Sequence, residues 1–199
     1  ISPSSEVMGE RLSVLHQLYC NEISLLVLPV DAIMQCVIPR KELINQTFTL
    51  NVGESLDREF LETCLLDNGF VRIPLIENRS QFSARGDIID VYPSDAINPF
   101  RIELFDNTIE SIREFDVNTQ ISLRQINNLK ILPVRELSPT QVQKERGLES
   151  ITKYAEENDV NSYSLKELID KIKHLDNFLG VEHLAPFFYS RRETIFDYF

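Results

Sequence analysis

Apolar positions recur along the first twenty residues at helical spacing. Met8, Leu12, Leu15 and Tyr19 share one face of a predicted helix. Ser4 and Ser5 can cap it, and Glu6 in the first turn suits its dipole. Ile23 to Leu28 is a nearly unbroken apolar run, which predicts a strand covered on both faces, as in a parallel α/β sheet. Pro29 ends the run, and Val30 to Cys36 reads as a short helix. This stretch, residues 1–37, reads as the C-terminal edge of an α/β domain whose other strands lie upstream.

The pattern changes after Pro39. Gln46 to Val52 alternates, with Phe48, Leu50 and Val52 on one side, and predicts a strand. Ser55 then caps a predicted helix with Leu56, Phe60, Leu61, Cys64 and Leu65 on its buried face and Gly69 as its terminator. Cys64 on that face reads as a small core hydrophobe. Beyond it the period is that of strands: Phe70–Ile76, Phe82–Tyr92, Phe100–Phe105, Thr108–Phe115 and Leu129–Pro133. Asp106-Asn107 between two of these is a tight hairpin connection. Residues 38–136 thus read as a compact α+β domain, one meandering sheet with a helix packed on it.

Residues 137–199 read as mostly helical. Pro139 is placed at the first position of one helix, with Val142, Leu148, Ile151 and Ala155 as core contacts. Ser164 and Glu167 form a predicted capping box before Leu165, Leu168, Ile169, Ile172 and Leu175. The end of the chain is rich in aromatics, Phe187, Phe188, Tyr189, Phe196, Tyr198 and Phe199. That ending, and a start at Ile1 without methionine, read as those of an expressed or processed fragment.

Composition narrows the function classes. The 199 residues carry 20 Lys and Arg against 31 Asp and Glu, a net charge of −11. That argues against a nonspecific grip on DNA, which needs a dense cationic face. No apolar run is long enough to span a bilayer, and the N-terminus lacks a signal-peptide pattern. Cys20, Cys36 and Cys64 have no paired spacing and read as reduced cytoplasmic thiols. The six glycines are too scattered for a phosphate loop, which leaves no cofactor site to expect. His16, His174 and His183 lack metal-ligand spacing, and there is no nucleophile elbow. No catalytic or metal residue is therefore assigned.

What remains is a surface. In a strand over Phe100–Phe105, Arg101, Glu103 and Phe105 point away from the core-facing Ile102 and Leu104. Arg85, flanked by Ala84 and Gly86, stands uncrowded on the preceding strand. If the two strands are neighbours, Arg85 and Arg101 form a basic cluster beside Phe105. Arginine and aromatic residues are enriched at binding hot spots. A solvated strand face with an ordinary ion pair accounts for the same pattern equally well.

Specific motifs then come into view. Phe82-Ser-Ala-Arg85-Gly-Asp-Ile-Ile-Asp-Val-Tyr-Pro93 resembles a segment shared by the excision-repair protein UvrB and the transcription-repair coupling factors, the Mfd family. Arg101-Ile-Glu-Leu-Phe105-Asp and Ile109-Glu-Ser-Ile-Arg-Glu-Phe-Asp116 continue the likeness. Thr119-Gln120-x-Ser122, Ile131-Leu-Pro-Val-Arg-Glu136, Glu10-Arg-Leu and Val30-x-Ala-Ile-Met-Gln35 are closer to the coupling factors. So is the lack of room for UvrB's long DNA-holding hairpin before Pro39. Asp87 departs from the glycine usual in coupling factors and matches UvrB.

The resemblance implies a non-catalytic UvrB-like module: the end of its domain 1a, all of domain 2 and part of domain 1b. The flanking parts would come from a degenerate helicase-like domain without an ATP site. It implies that domain 2 docks the repair protein UvrA, recruiting excision repair to RNA polymerase stalled at lesions. Arg85, Arg101, Glu103 and Phe105 match the family's docking positions. It further implies that a C-terminal domain covers this face in the full-length protein. Contacts with polymerase and DNA, and the ATP- and Mg-dependent motor, would belong to regions outside this chain. The alternative is a UvrB-type subunit that engages damaged DNA directly.

Overall fold

The computed structural model of the chain describes residues 5–173 and 184–199. In chain order the elements are α1 (Ser5–Tyr19), α2 (Val30–Ile33), β1 (Cys36–Val37), α3 (Arg40–Gln46), β2 (Phe48–Asn51) and α4 (Arg58–Asp67). Then come β3 (Val71–Arg72), β4 (Gln81–Arg85), β5 (Ile88–Tyr92), β6 (Phe100–Phe105), β7 (Thr108–Phe115), β8 (Ser122–Ile126) and β9 (Asn128–Ile131). The last are α5 (Gln141–Glu157), α6 (Ser162–Lys173), α7 (Ala185–Phe188), β10 (Glu193–Thr194) and a 3-10 turn, Ile195–Tyr198. The architecture is mixed α/β. Of the described residues, 5–24 and 41–135 form one compact unit, and 25–40, 136–173 and 184–199 form another.

The first unit is built on a six-stranded sheet of order β3-β4-β5-β6-β7-β8, antiparallel except for β3 beside β4. Alternation puts Phe82, Ile89, Val91, Ile102 and Leu104 on one face of the sheet. They pack with Ile112 of β7, Leu61 and Leu65 of α4, and Leu50, Leu129 and Ile131 of the β2–β9 ribbon. The expected helix on one side of a sheet is therefore present, but the sheet is not a single meander: β2 and β9 form a ribbon of their own, and β3 runs parallel to β4. The helix cap is Asp57 rather than Ser55: Asp57 Oδ1 accepts the Phe60 N–H at 3.1 Å. Ser55 instead bridges to Thr108. Phe60, expected in the core, is 66% exposed. Gly69 does terminate α4, at φ +91°, with its N–H on the Leu66 carbonyl and that of Phe70 on the Leu65 carbonyl. α1 buries Leu12, Leu15 and Leu18, so its inner stripe runs to Leu18 rather than to the exposed Tyr19. Gly9 lets it approach closely: a Cβ there would lie 2.4 Å from that of Ser94.

Several strand readings change. Of the expected strand Phe70–Ile76 only Val71–Arg72 forms one, as β3. The stretch Phe82–Tyr92 is a hairpin, not one strand, with Arg85 paired to Ile88 across Gly86-Asp87. Gly86 has φ +56°, the left-handed first position that a two-residue type II′ connection requires. Ser122–Ile126 adds an edge strand that the sequence pattern did not announce. The β6–β7 hairpin matches expectation, and Asp106 and Asn107 both have positive φ, 47° and 60°, as a type I′ turn demands.

The second unit holds α5, α6, α7 and the β1–β10 ribbon. α5 is capped by Thr140, whose Oγ1 accepts from the Gln143 N–H while Gln143 Oε1 accepts from the Thr140 N–H. Pro139 therefore precedes the cap. Ile151 and Ala155 are buried, whereas Val142 is 75% exposed. Gly147 is buried against the Phe188 ring. α6 starts before Ser164, with Asn161 Oδ1 accepting the Tyr163 N–H at 2.8 Å, so the predicted capping box falls inside the helix. The apolar run Ile23–Leu28 forms no strand; Leu25 and Val27 are 82% and 85% exposed. No strand among the described residues pairs with it, and an apolar run without a ladder partner has nothing to hold it extended. The helix after Pro29 stops at Ile33, and Cys36 joins β1. Ser4, His174, Leu175, Gly180 and His183 lie outside the described residues.

Candidate interaction face

The sheet face opposite the main core is divided. At one end Ile76, Tyr92 and Phe115 form a small buried cluster, with Ile73 and Val117 packed against it. At the other end the strands β4, β5 and β6 show Arg85, Ile88, Glu103 and Phe105. Between the two lies Asp90 on β5, whose side chain is 1% exposed. β5 runs between β4 and β6, so Arg85 and Arg101 are not on neighbouring strands. They meet instead at the carboxylate of the strand between them.

Arg101 is directly opposite Asp90 in the β5–β6 ladder. Its Nε donates to Asp90 Oδ1 at 2.7 Å, and its Nη2 donates to Oδ2 at 2.9 Å. This bidentate fork is the geometry that suits a guanidinium and a carboxylate best. Nη2 also donates to Gln120 Oε1 at 3.0 Å. The guanidinium lies over the ring of Phe115, 4.6 Å from its centroid. The hydrogen bond to Asp90 raises the Arg101 pKa further above its usual range, against the opposing effect of burial. Only 21% of the side chain is exposed. Arg101 is thus fixed in the sheet, with Nη1 making no hydrogen bond among the described residues.

Gln120 is held to receive it. Asp116 Oδ1 accepts from the N–H groups of Asn118 and Thr119 and from the Thr119 hydroxyl, which tightens the loop after β7. Those bonds depress the Asp116 pKa, the Thr119 N–H foremost. Gln120 takes φ +61° and donates its side-chain amide to the Val117 carbonyl. The Thr119-Gln120 motif is therefore part of the mount of Arg101.

Arg85 is placed differently. Its Nη2 reaches Asp90 Oδ2 at 3.4 Å, and 55% of its side chain is exposed. The turn beside it is anchored on both sides. Arg58 of α4 donates to the Gly86 carbonyl, and the Leu104 N–H donates to Asp87 O at 2.8 Å, at the β6 bulge. Glu103 accepts from the Ser111 hydroxyl at 2.7 Å and pairs with Arg113 at 3.1 Å. Arg113 stands directly opposite Arg101, so each of two facing arginines has its own carboxylate. Phe105 is 72% exposed at the end of β6, and Ile88, opposite Glu103, is 37% exposed.

The four residues singled out from sequence share this face, but in distinct states. Arg85 and Phe105 present themselves to solvent, Glu103 is partly occupied, and Arg101 is committed to the sheet. Sequence reasoning missed Asp90, Ile88, Arg113 and Gln120. Asp90 had a signal: a lone carboxylate inside the strand-like run Ile88-Ile-Asp-Val, directly opposite an arginine once the hairpin is recognised.

Among the described residues, no cluster of three His, Cys, Asp or Glu is arranged to hold a metal ion, and no helix is long and apolar enough to cross a membrane. Cys20 and Cys36 are exposed, and burial raises the Cys64 thiol pKa.

Comparison with known proteins places this face in context. Residues 48–137, which include β4 to β9, match the UvrB interaction domain. A transcription-repair-coupling factor of Myxococcus xanthus is 31% identical over 200 residues, covering 100% of this chain and 17% of that protein. That of Haemophilus influenzae is 28% identical over 198 residues, 99% of this chain and 17% of its own length. That of Bacillus subtilis is 34% identical over 148 residues, 74% of this chain and 13% of its own length. The chain thus spans about a sixth of the length of the curated relatives it matches. With a UvrB interaction domain inside a whole-chain match of this kind, the chain belongs to the transcription-repair-coupling-factor family.

Proposed function

We propose that this chain is the UvrA-docking part of a transcription-repair-coupling factor. It recruits excision repair to RNA polymerase stalled at DNA lesions and performs no catalysis itself. The observation that supports this best is that Phe105 and Arg85 are both exposed on one sheet face inside the UvrB interaction domain. An exposed aromatic and a half-exposed arginine on one sheet face have the composition of an interface hot spot. Arg85 donates charge-assisted hydrogen bonds to acidic or carbonyl groups of UvrA, and Phe105 with Ile88 supplies apolar contact area. Glu103 fixes Arg113 and limits which basic groups can approach.

In this reading the docking domain is residues 38–136. The second compact unit belongs to a degenerate helicase-like domain. The polymerase-binding and ATP-driven translocase parts lie in the remainder of such proteins, as does the domain that covers the docking face.

The test offers the purified chain two partners in parallel: UvrA, and a labelled duplex carrying a lesion. Saturable UvrA binding with no duplex binding at low salt is the expected result. Salt-sensitive duplex binding without UvrA binding would instead indicate a subunit that engages DNA directly.

A further inference from the structure

We propose that Asp90 is the positioning carboxylate of this face. It locks Arg101 into the sheet and draws Arg85 to the same point, so that Arg85 is the arginine left to donate outward. The last clause rests on the docking function proposed above; the first does not.

The geometry carries the assignment. Asp90 is buried on the strand between the two arginines, and both of its oxygens are engaged by Arg101, at 2.7 and 2.9 Å. A carboxylate so enclosed requires a fixed counter-charge, because removing either partner leaves an uncompensated charge out of water. Gln120 accepts from the same Nη2, and the Phe115 ring lies against the guanidinium, which adds to its fixation. Arg85 approaches Oδ2 only at 3.4 Å, from the exposed side. The fork on Arg101 is satisfied inside the sheet, whereas Arg85 is attracted to Asp90 without being consumed by it. The negative point under the arginines also offsets the repulsion between them. The β4–β5 turn, anchored by Arg58 and by the Leu104 N–H, keeps Arg85 within reach of Asp90.

Side-chain NMR of the arginine Nε–H groups in the chain tests this without any partner. The Arg101 Nε–H should exchange with water at least about tenfold more slowly than that of Arg146, which is exposed on α5, as a buried charge-assisted hydrogen bond requires. Equal rates would overturn the proposal even if no variant folds. In Asp90→Asn, which keeps the shape and removes the charge, that protection should fall and the Arg85 signal should shift. A folded Asp90→Asn chain with both arginine signals unchanged would also overturn it.

Against UvrA, Arg85→Ala and Asp90→Asn should each weaken binding about tenfold, and the double variant should lose less than the product of the two. Fully multiplicative losses would overturn the coupling between Asp90 and Arg85. If the wild-type chain does not bind UvrA, the docking function and the outward role of Arg85 fall with it. The exchange rates then still decide whether Asp90 positions the arginines.

Discussion

Replacing Arg101 with alanine should destabilise the sheet unit far more than replacing Arg85, although sequence alone treats the two as equivalent docking residues. Arg101→Ala removes a bidentate partner from a carboxylate that is 1% exposed. Breaking a buried pair from one side costs about 3–5 kcal/mol. The Arg101 side chain is 21% exposed, so the lower end of that range applies, about 3 kcal/mol. Loss of its packing on Phe115 adds to this. For a chain of this length each kcal/mol moves the melting temperature by roughly 2–4 °C, so the shift should be about 6–12 °C. Arg85→Ala breaks a 3.4 Å contact whose arginine is 55% exposed, worth under about 1 kcal/mol. Scanning calorimetry is the appropriate assay, because two compact units can melt as separate transitions. Arg101→Ala melting within about 2 °C of the wild type, or Arg85→Ala matching its loss, would refute the reasoning. The practical consequence is that lost binding by Arg101→Ala does not show direct contact with a partner.

Other outcomes follow from single features. Gly147→Ala should lower the stability of the helical unit by about 1–3 kcal/mol in urea titration, despite alanine's better helix propensity. A Cβ there would lie 2.3 Å from Cδ1 of the buried Phe188, and an unchanged urea midpoint would contradict the packing. His16 has its pKa lowered from 6.5, by burial first and by the charge of Lys130 second. The unfolded chain therefore takes up the proton more readily than the folded one. The His16 contribution to stability is complete above pH 6.5 and lost as pH falls through the lower folded value. His16→Gln should flatten the dependence of the urea midpoint on pH between 6.5 and that lower value; an identical slope in both chains would count against a neutral, buried His16.

How much of this was legible in the residues depended on what each pattern constrains. The β6–β7 hairpin and the α4 terminator were readable, because Asp-Asn and Gly occupy positions whose backbone angles few other residues adopt. The Phe82–Tyr92 hairpin was hidden because apolar residues continue on both sides of Gly86-Asp87, although that dipeptide is itself a turn signal. β8 was missed because an edge strand needs no apolar face; Ser122 to Gln125 are all exposed. The apolar run Ile23–Leu28 misled in the opposite direction, since hydrophobicity alone does not supply a ladder partner. At the candidate face, period-two alternation placed Arg101, Glu103 and Phe105 together, and the structure keeps them so. Alternation says nothing of strand order, which separates Arg85 from Arg101 and puts Asp90 between them. Nor does it reveal that a loop glutamine, Gln120, reaches back to the sheet.

The central claim, that this face docks UvrA, is tested most directly by the dissociation constant of UvrA for wild-type chain and for Phe105→Ala. Phe105 is 72% exposed, so its removal should leave the melting temperature within about 2 °C of wild type. If Phe105 is a hot spot, the same change should weaken UvrA binding by roughly 2 kcal/mol, about thirtyfold. A Phe105→Ala chain that is equally stable and binds UvrA with unchanged affinity would contradict the account.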